Sequence, residues 1–374
     1  MHNDNDLPLL RNADISSGQK VLVRVDFNVP VDKDEVRSDF RIKRSLETID
    51  FLREKGAKVI LMSHITDVDT LEPVSHYLKD FIPHIFIEDL YDEKDRSALD
   101  GLENGEVALL ENLRRNSGEK ENNEDFSRDL ADLADVYVND AFAVSHREHA
   151  SVVGVPKLMK GCAGFLIEEE VKELSRAIDP KHPFLFILGG AKFETKMPLI
   201  ERFLDIADTL LVGGALANDL YKAEGLGIGQ SLTSKAVDLE KVFTDPKVLT
   251  PKEVIVERDG EAHKINVQDV REEDIISDVS AEWIRTLEEK MADSETILWN
   301  GPFGNYEAGY SEGSEMIAKL IAESNAHSIV GGGDTLAIIG NLGISDKLGF
   351  ISTGGGAMLD FLANGTLPGI EVLK

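Results

Sequence analysis

Short runs of apolar residues, rich in Val, Ile and Leu, recur along the chain in two series. The first series occupies 21–25, 58–63, 85–90, 107–113 and 135–140, and the second occupies 184–190, 209–214, 296–301, 328–333 and 350–356. Nearly continuous apolarity predicts strands buried on both faces, as in parallel sheets. Between the runs a helical period appears, with Ile42, Leu46, Ile49 and Leu52 on one face of a helix that Gly56 would end. This alternation predicts an α/β fold with doubly wound parallel sheets.

The length and the two series together predict two domains, with one large α/β unit as the alternative. The chain has 374 residues, and a domain commonly holds roughly 100–200. We expect a first domain over 1–166 and a second over 184–356. In the intervening segment, 167–183, the apolar residues keep a helical spacing until Pro180 and Pro183. This segment is predicted to be an interdomain helix and hinge.

The two series differ in the residues that follow each run. In the first half the runs end in Asp, Asn, His or Arg, whereas in the second half they end in glycine. Ligands of open α/β sheets bind beyond the carboxyl ends of the strands. The first half therefore offers charged side chains, and the second offers the close backbone approach that phosphates and a flat base require. One segment departs from the parallel pattern: 254–267 alternates around Asp259-Gly260, which predicts a β-hairpin.

Composition restricts the partners of the chain. Lys and Arg number 40 and Asp and Glu number 69, so the formal charge is −29. Such a surface repels nucleic acid and anionic membranes, and we expect neither as a partner. It also repels phosphorylated substrates at long range, so an anion site requires a local basic cluster. The single cysteine, Cys162, allows no internal disulfide, and no stretch approaches 18 apolar residues. We expect a cytoplasmic protein.

Polar and basic residues at the strand ends of the first half form the required cluster. Its members are Arg24, Asp26, Asn28, Arg41, His64, Arg114 and Arg147. Arginine presents a planar fork that suits carboxylate and phosphate. A surface salt bridge is the alternative for any one arginine, but the set favours an anion site. We expect His146 and His149 to be surface histidines rather than metal ligands, and the acidic run 119–125 to be solvated.

Two triple-glycine turns follow apolar runs in the second half, at 330–335 and 352–357. Three consecutive glycines suit a turn whose backbone N–H groups wrap an anion at the start of a helix. Asp334 follows the first set and could reach a metal ion on that anion. The alternative is a pair of tight turns with Asp334 as a helix N-cap.

A further glycine pair precedes two lysines in the segment 189–196. If a helix starts there, Lys192 and Lys196 share one face, and their charges oppose the helix dipole unless an anion is present. The segment is not GxxxxGK[ST], and GxGxxG is also absent from the chain. The latter absence weakens a nicotinamide-enzyme interpretation.

Taken in order, these motifs resemble the phosphoglycerate kinase family. The matching segments are 21–30, 111–114, 138–154, 189–196, 299–307, 331–335 and 352–357. The resemblance implies reversible transfer of the acyl phosphate of 1,3-bisphosphoglycerate to MgADP, giving 3-phosphoglycerate and ATP in glycolysis or gluconeogenesis. It also implies a monomer with a cleft between its two domains. The first domain would bind phosphoglycerate, with 357–374 packing back on it, and the second would bind the nucleotide.

The resemblance also implies site residues. Phosphoglycerate would be held by Arg24, Asp26, Phe27, Asn28, Arg41, His64, Arg114 and Arg147. The nucleotide would be held by Gly190, Lys192, Lys196, Gly213, Gly214, Asn300, Pro302, Glu307, Gly331, Gly332, Gly333, Asp334 and Thr335. Asp334 would bind Mg²⁺, Glu307 the ribose, and Gly213 and Gly214 the region of the adenine. The transition state would be stabilised by Arg41, Lys192, Gly354, Gly355 and Gly356.

The chain departs from the family pattern at three places. After His64 the family usually reads Leu-Gly-Arg-Pro, whereas here Thr66 and Asp67 take the middle positions, so a substrate arginine is missing. The segment 278–281 reads Asp-Val-Ser-Ala rather than Asp-Ile-Gly-Pro, and Arg115 stands where an aromatic residue is usual. We hypothesise that Arg115 partly replaces the missing arginine. A nucleotide-binding protein that has lost its substrate site, and an acidic scaffold, remain as alternatives.

Overall fold

The computed structural model describes residues 7–191, 196–234 and 239–374. The chain divides into two compact units. The first comprises the residues up to Lys172 together with Asn364–Lys374, and the second comprises Glu173–Ala363. The first boundary, at Lys172, lies six residues after the expected end of the first domain at 166. The second, at Asn364, lies seven residues after the expected start of the returning segment at 357.

A six-stranded parallel sheet forms the centre of the first unit. Its strands are β1 (Lys20–Val25), β4 (Lys58–Met62), β5 (Ile85–Ile87), β6 (Val107–Leu110), β7 (Val136–Asp140) and β8 (Gly161–Ala163), and β2 (Val31–Asp32) with β3 (Glu35–Val36) forms a separate hairpin. The order across the sheet is β5-β6-β4-β1-β7-β8. Nearly every residue of the central strands is buried, as continuous apolarity predicted.

The helices of the first unit connect these strands. They are α1 (Phe40–Glu54), α2 (Glu72–Leu78), α3 (Glu93–Asp100), α4 (Ser117–Lys120), α5 (Glu124–Ala131), α6 (Val155–Leu158) and α7 (Phe165–Ile178), which continues into the second unit. In α1, Ile42, Ile49 and Leu52 are fully buried on the predicted face. Gly56 ends this helix with φ of 74°, and Ala57 N–H donates to the Leu52 carbonyl. The prediction for α1 is confirmed.

A second parallel sheet, with an antiparallel sheet beside it, organises the second unit. The strands are β9 (Phe184–Leu188), β10 (Thr209–Val212), β11 (Val248–Leu249), β12 (Glu253–Arg258), β13 (Glu261–Asn266), β14 (Ile275–Val279), β15 (Thr296–Asn300), β16 (His327–Gly331) and β17 (Phe350–Ile351). The parallel order is β11-β10-β9-β15-β16-β17, and the antiparallel order is β13-β12-β14. Asp259 and Gly260 turn with φ of 53° and 78°, which confirms the hairpin.

Helices again lie between the strands of the second unit. They are α8 (Met197–Ile206), α9 (Ala215–Ala223), α10 (Glu240–Phe243), α11 (Ala281–Arg285), α12 (Glu288–Ala292), α13 (Glu312–Glu323), α14 (Gly333–Leu342) and α15 (Gly356–Asn364); α16 (Pro368–Glu371) belongs to the first unit. No helix within the described ranges has the length and apolarity that a membrane crossing requires.

Two sequence expectations differ from the observed elements. The helix expected over 167–183 is α7, which begins two residues earlier and ends at Ile178, because Pro180 and Pro183 are incompatible with its last turn. The apolar runs also extend past the strands by up to five residues, since each run included the turn that follows its strand.

Candidate active site

The carboxyl ends of four neighbouring strands bring the basic residues of the first unit together. Arg24 lies near the end of β1, and His64, Arg114 and Arg147 follow β4, β6 and β7. These strands are adjacent in the sheet and parallel, so their ends meet at one edge. The charges of all three arginines act on His64. The structure thus brings four of the seven residues of the predicted cluster together, and we call these four residues the basic cluster.

His64 is a buried, neutral histidine within this cluster. Burial lowers its pKa strongly, and the charges of Arg24, Arg114 and Arg147 lower it further. Arg24 Nη2 lies 3.0 Å from His64 Nδ1. Because a guanidinium can only donate, Nδ1 accepts, and the single proton of the neutral ring is on Nε2. His64 thus has an N–H group on the side of the ring opposite Arg24.

Arg114 is a half-buried cation crowded by two other arginines, and Glu119 and Asp26 offset this repulsion in part. Burial lowers the pKa of its guanidinium, and the positive charges of Arg147 and Arg24 lower it further. Within the described part of the chain, its buried Nε–H has no hydrogen-bond partner. Crowded cations with an unused donor are unfavourable until an anion arrives. This edge of the sheet is therefore suited to bind an anion.

Polar groups of the loop after β1 extend the site. Asp26 Oδ2 lies 3.1 Å from Arg41 Nη1, and the same nitrogen donates to the Asn28 carbonyl at 3.0 Å. Asn28 Oδ1 accepts from both the backbone N–H and the hydroxyl of Thr66, at 3.0 and 2.9 Å. Phe27 is buried, and its N–H donates to the Ser63 hydroxyl. With the side-chain oxygen of Asn28 occupied, its NH₂ group remains as a donor.

Arg115 does not join the basic cluster through a direct contact. Its Nη1 donates to Glu111 Oε2 at 2.9 Å, and the side chain lines a depression that also includes Tyr91 and Phe126. Glu111 in turn accepts from Thr70 and Leu71. Since Arg115 has a carboxylate of its own, the hypothesis that it replaces the missing arginine stays a prediction without structural support.

Two expectations about polar residues near this site hold only in part. Most of the run 119–125 is exposed as expected, but its first residue, Glu119, is 0% exposed. His149 was expected on the surface, but its side chain is only 16% exposed and lies 3.7 Å from Glu119 Oε1. Ser151, which sequence reasoning did not single out, connects Glu119 to Arg24.

A cavity of about 440 Å³ lies in the second unit, beyond the carboxyl ends of β9, β10 and β15. Five expected nucleotide residues line it: Gly190, Gly214, Pro302, Glu307 and Asp334. Its apolar wall includes Tyr221, Val254, Ile276 and Phe303, and Asn218 and Asp278 add polar groups, none of which sequence reasoning had assigned to the site. Burial raises the pKa of Asp278 to about 6. An apolar wall with a few polar groups suits a nucleotide.

Gly213 packs against Phe303, a residue of the cavity wall, and its position has no room for a side chain. A Cβ atom there would lie 2.2 Å from the ring of Phe303, which lines the cavity. The next residue, Gly214, has φ of 63° and precedes α9. The two glycines therefore allow the cavity wall to form, and this role does not require them to contact a ligand.

Lys196 is buried beside the glycine turn after β9. Its Nζ donates to the Gly189 carbonyl at 2.7 Å and to Asn300 Oδ1 at 3.2 Å. Only 9% of the residue is exposed, and burial lowers its pKa to about 8. The helix α8 begins at Met197, so Lys196 is its N-cap rather than a member of the predicted helix face. Lys192 lies outside the described residues.

The two triple-glycine turns each lead into a helix. Gly331 ends β16, Gly332 has φ of 107°, and α14 begins at Gly333. Asp334 is exposed in the first turn of α14, and the N-cap is Gly332, so the alternative that Asp334 caps the helix is wrong. The hydroxyl of Thr335 is buried and, among the described residues, has no partner.

The second turn places Gly354, Gly355 and Gly356 at the start of α15. Gly355 has φ of 52°, and α15 begins at Gly356. The N–H of Gly354 donates to the hydroxyl of Ser352 at 3.0 Å. One of the three amides expected to contact the transferred phosphate is thus already engaged.

Comparisons with known proteins identify the family. The family model described as phosphoglycerate kinase matches residues 10–365. The chain belongs to the phosphoglycerate kinase family. It is 39% identical to the phosphoglycerate kinase of Syntrophobacter fumaroxidans over 96% of both chains, and 40% identical to that of Francisella tularensis subsp. novicida over 98% of this chain and 97% of the relative.

Solved structures of the phosphoglycerate kinase family have the same fold. The structure of the Coxiella burnetii protein covers 98% of this chain and is itself covered to 99%, with a TM-score of 0.84 and 36% identity. The crystal structure of the Pyrococcus horikoshii OT3 protein gives a TM-score of 0.87 and 32% identity, with 98% of each chain covered. These likenesses extend over both units, so the chain is a two-unit α/β phosphotransferase.

Proposed function

We propose that this chain transfers the acyl phosphate of 1,3-bisphosphoglycerate to MgADP, giving 3-phosphoglycerate and ATP, in either direction. The observation that carries the proposal is the basic cluster of the first unit. There three arginines lie around a neutral histidine, and the buried Arg114 Nε–H has no partner among the residues that the structure describes. Such a site is suited to a small, multiply charged anion. Family membership identifies the class of that anion.

The first unit holds the phosphoglycerate in this proposal. Arg114, Arg147 and His64 Nε2–H donate to its charged oxygens. The NH₂ group of Asn28 and the guanidinium of Arg41 bind the rest of the molecule, and Asp26 holds Arg41 in place. The chain as a whole carries a large negative charge, so the cations of the site have to attract the anion at short range.

The second unit holds the nucleotide. The base lies against the apolar wall that includes Tyr221 and Phe303, Glu307 accepts from the ribose hydroxyls, and Lys196 faces the phosphates. The carboxylate of Asp334 and the hydroxyl of Thr335, which has no hydrogen-bond partner within the described ranges, are oxygen ligands of the kind that Mg²⁺ prefers. When bound there with the nucleotide, the ion neutralises phosphate charge.

The transfer itself requires position and charge rather than a base. The attacking oxygen of ADP is already ionised at neutral pH, so no side chain has to remove a proton. The protein lines up the two oxygens and stabilises the charge that spreads over the transferring group. Arg41 and the amides of Gly355 and Gly356 supply donors for this charge. A role for Lys192 rests on the resemblance alone.

A coupled assay with 3-phosphoglycerate, ATP and Mg²⁺ tests the proposal. We expect turnover by the parent chain, with Arg114→Ala raising the KM for 3-phosphoglycerate by roughly tenfold or more, since a charge-assisted hydrogen bond is lost. Arg128→Ala is the matched control, because Arg128 is exposed and pairs with Glu124 on the surface of α5. Nucleotide binding without turnover would contradict the proposal.

We also place the reaction in the cytoplasm and assign it to a monomer. The only cysteine, Cys162, is buried, and burial raises the pKa of its thiol to about 12, so it is unreactive in the folded chain. Sedimentation at the concentration of the assay tests the monomer, and a dimer under those conditions would contradict it.

A further inference from the structure

The buried carboxylate of Glu119 lies behind the basic cluster and accepts two hydrogen bonds from a single residue. The Ser151 backbone N–H donates to Oε2 at 2.9 Å, and the Ser151 hydroxyl donates to Oε1 at 2.7 Å. Both residues are 0% exposed. An acidic side chain is rarely buried this completely unless it is paired or hydrogen-bonded. Glu119 therefore fixes both the backbone N–H and the hydroxyl of Ser151.

The hydrogen bonds continue from Ser151 into the basic cluster in a fixed direction. A hydroxyl has one proton, and that of Ser151 is given to Glu119, so its oxygen accepts from Arg24 Nε–H at 2.9 Å. Arg24 also donates to the Val25 carbonyl, and through Nη2 to His64 Nδ1 at 3.0 Å. Because the guanidinium is planar and rigid, three contacts fix its orientation.

We propose that Glu119 is a positioning residue of the phosphoglycerate site, which acts through Ser151 and Arg24 to hold His64 with its proton on Nε2. The inference rests on the proposed function, since His64 is assigned to donate that N–H to the substrate. Arg24 is 1% exposed and has three partners, so it orients His64 from behind. In this proposal Glu119 touches neither the substrate nor the reacting atoms, and its effect on the orientation of His64 passes through Ser151 and Arg24.

The charge of Glu119 and its positioning role affect substrate binding in opposite directions. Glu119 and Asp26 are the carboxylates that act on Arg114 and oppose the repulsion between the arginines. Removing the charge alone would leave the cluster more positive and would lower the KM for an anion. Removing the positioning would raise that KM. The sign of the change in KM therefore separates the two effects.

The test compares Glu119→Gln and Ser151→Ala with the parent chain in the coupled assay. Glutamine keeps the shape of glutamate but presents an NH₂ group to one of the two donors of Ser151. Each variant should raise the KM for 3-phosphoglycerate by about tenfold and leave the KM for ATP unchanged. Glu121→Gln is the matched control, because it removes the same formal charge from an exposed position two residues away. A lower or unchanged KM for 3-phosphoglycerate, or an equal rise in both constants, overturns the proposal.

A spectroscopic measurement gives a readout that does not depend on turnover. In the parent chain labelled with ¹⁵N-histidine, His64 should show the Nε2–H tautomer, and both variants should lose this single form. An unchanged His64 spectrum in both variants overturns the positioning chain. If the parent chain itself fails to turn over, the proposed function fails, and the tautomer still decides the role of Glu119. Should Glu119→Gln not fold, Ser151→Ala carries both measurements.

Discussion

Lys196 should make the stability of the second unit depend on pH in a way that can be calculated. Burial lowers its pKa from 10.5 to about 8, so the folded state binds the proton less tightly than the unfolded chain does. At roughly 1.4 kcal/mol for each pKa unit, the charged lysine costs the folded state about 3 kcal/mol. This cost is fully present below pH 8, decreases as the pH rises, and is absent above pH 10.5.

The perturbation that isolates this effect is Lys196→Met. Methionine fills a similar volume without a charge, but it leaves the acceptors on Gly189 and Asn300 unpaired, which costs about 1–3 kcal/mol at every pH. The informative quantity is therefore the difference between parent and variant as a function of pH. Between pH 8 and 10.5, the free energy of unfolding of the parent should rise by about 3 kcal/mol relative to that of the variant.

Chemical denaturation followed by tryptophan fluorescence measures this difference for the second unit of the fold. Both tryptophans of the chain, Trp283 and Trp299, belong to the second unit. Lys222→Met, at an exposed position on α9, controls for the loss of one positive charge. A difference between parent and Lys196→Met that stays constant from pH 7 to 10.5 would refute the reasoning. The same buried charge would be relieved by a bound phosphate, so the cost in the free protein favours nucleotide binding.

Three further predictions follow from single contacts. Gly213→Ala would place a methyl group 2.2 Å from the ring of Phe303 and should lower the free energy of unfolding of the second unit by about 1–3 kcal/mol. The control is Gly340→Ala on α14, where the added methyl group meets no atom within 4 Å. This control should be neutral or slightly stabilising in the same fluorescence assay. Thr66→Val removes one of the two hydrogen bonds to Asn28 Oδ1 and should raise the KM for 3-phosphoglycerate by roughly fivefold. Thr66→Ser keeps the hydroxyl and should have the KM of the parent. Equal KM values in all three proteins would contradict this prediction. Burial raises the pKa of Asp140 from the ordinary 3.8 to about 8, so the free energy of unfolding should fall as the pH rises from 3.8 to 8. Asp140→Asn should lack this dependence when denaturation is followed by circular dichroism. Identical pH profiles of parent and variant would count against this prediction.

The sequence predicted the elements whose residues are buried by their own sheet. The strands β1, β4, β9 and β15 are buried along nearly their whole length, so their apolar runs have no alternation. The edge strands β8 and β11 have three and two residues, which is too short for any period to appear. The positions of glycine turns and of polar residues after strands also follow from the sequence, because parallel topology places strand ends at one edge.

What the sequence could not supply is the burial of single polar residues by distant partners. Glu119 stands in a run of charged residues and looks solvated. Yet Ser151, which is 32 residues away, donates a hydrogen bond to each of its carboxylate oxygens. Lys196 follows a glycine turn at a spacing that suggested a helix face, but the helix starts one residue later. In both cases the local pattern is ambiguous, and the tertiary contact decides the environment and therefore the charge state.

The buried charges also explain how a chain with a net charge of −29 can bind anionic substrates. Exposed charges are screened over about 8–10 Å at physiological ionic strength, so the acidic surface acts only weakly on an anion that has reached the site. Inside the first unit the interactions are screened much less, and there Arg24, Arg114 and Arg147 face the carboxylates of Asp26 and Glu119. The two carboxylates keep the arginines stable together while the site is empty, and they leave a positive excess that an anion can neutralise. The charge that an anion meets next to Arg114 is therefore set by these five buried or half-buried side chains, and the charge of the remaining surface can vary without loss of the site.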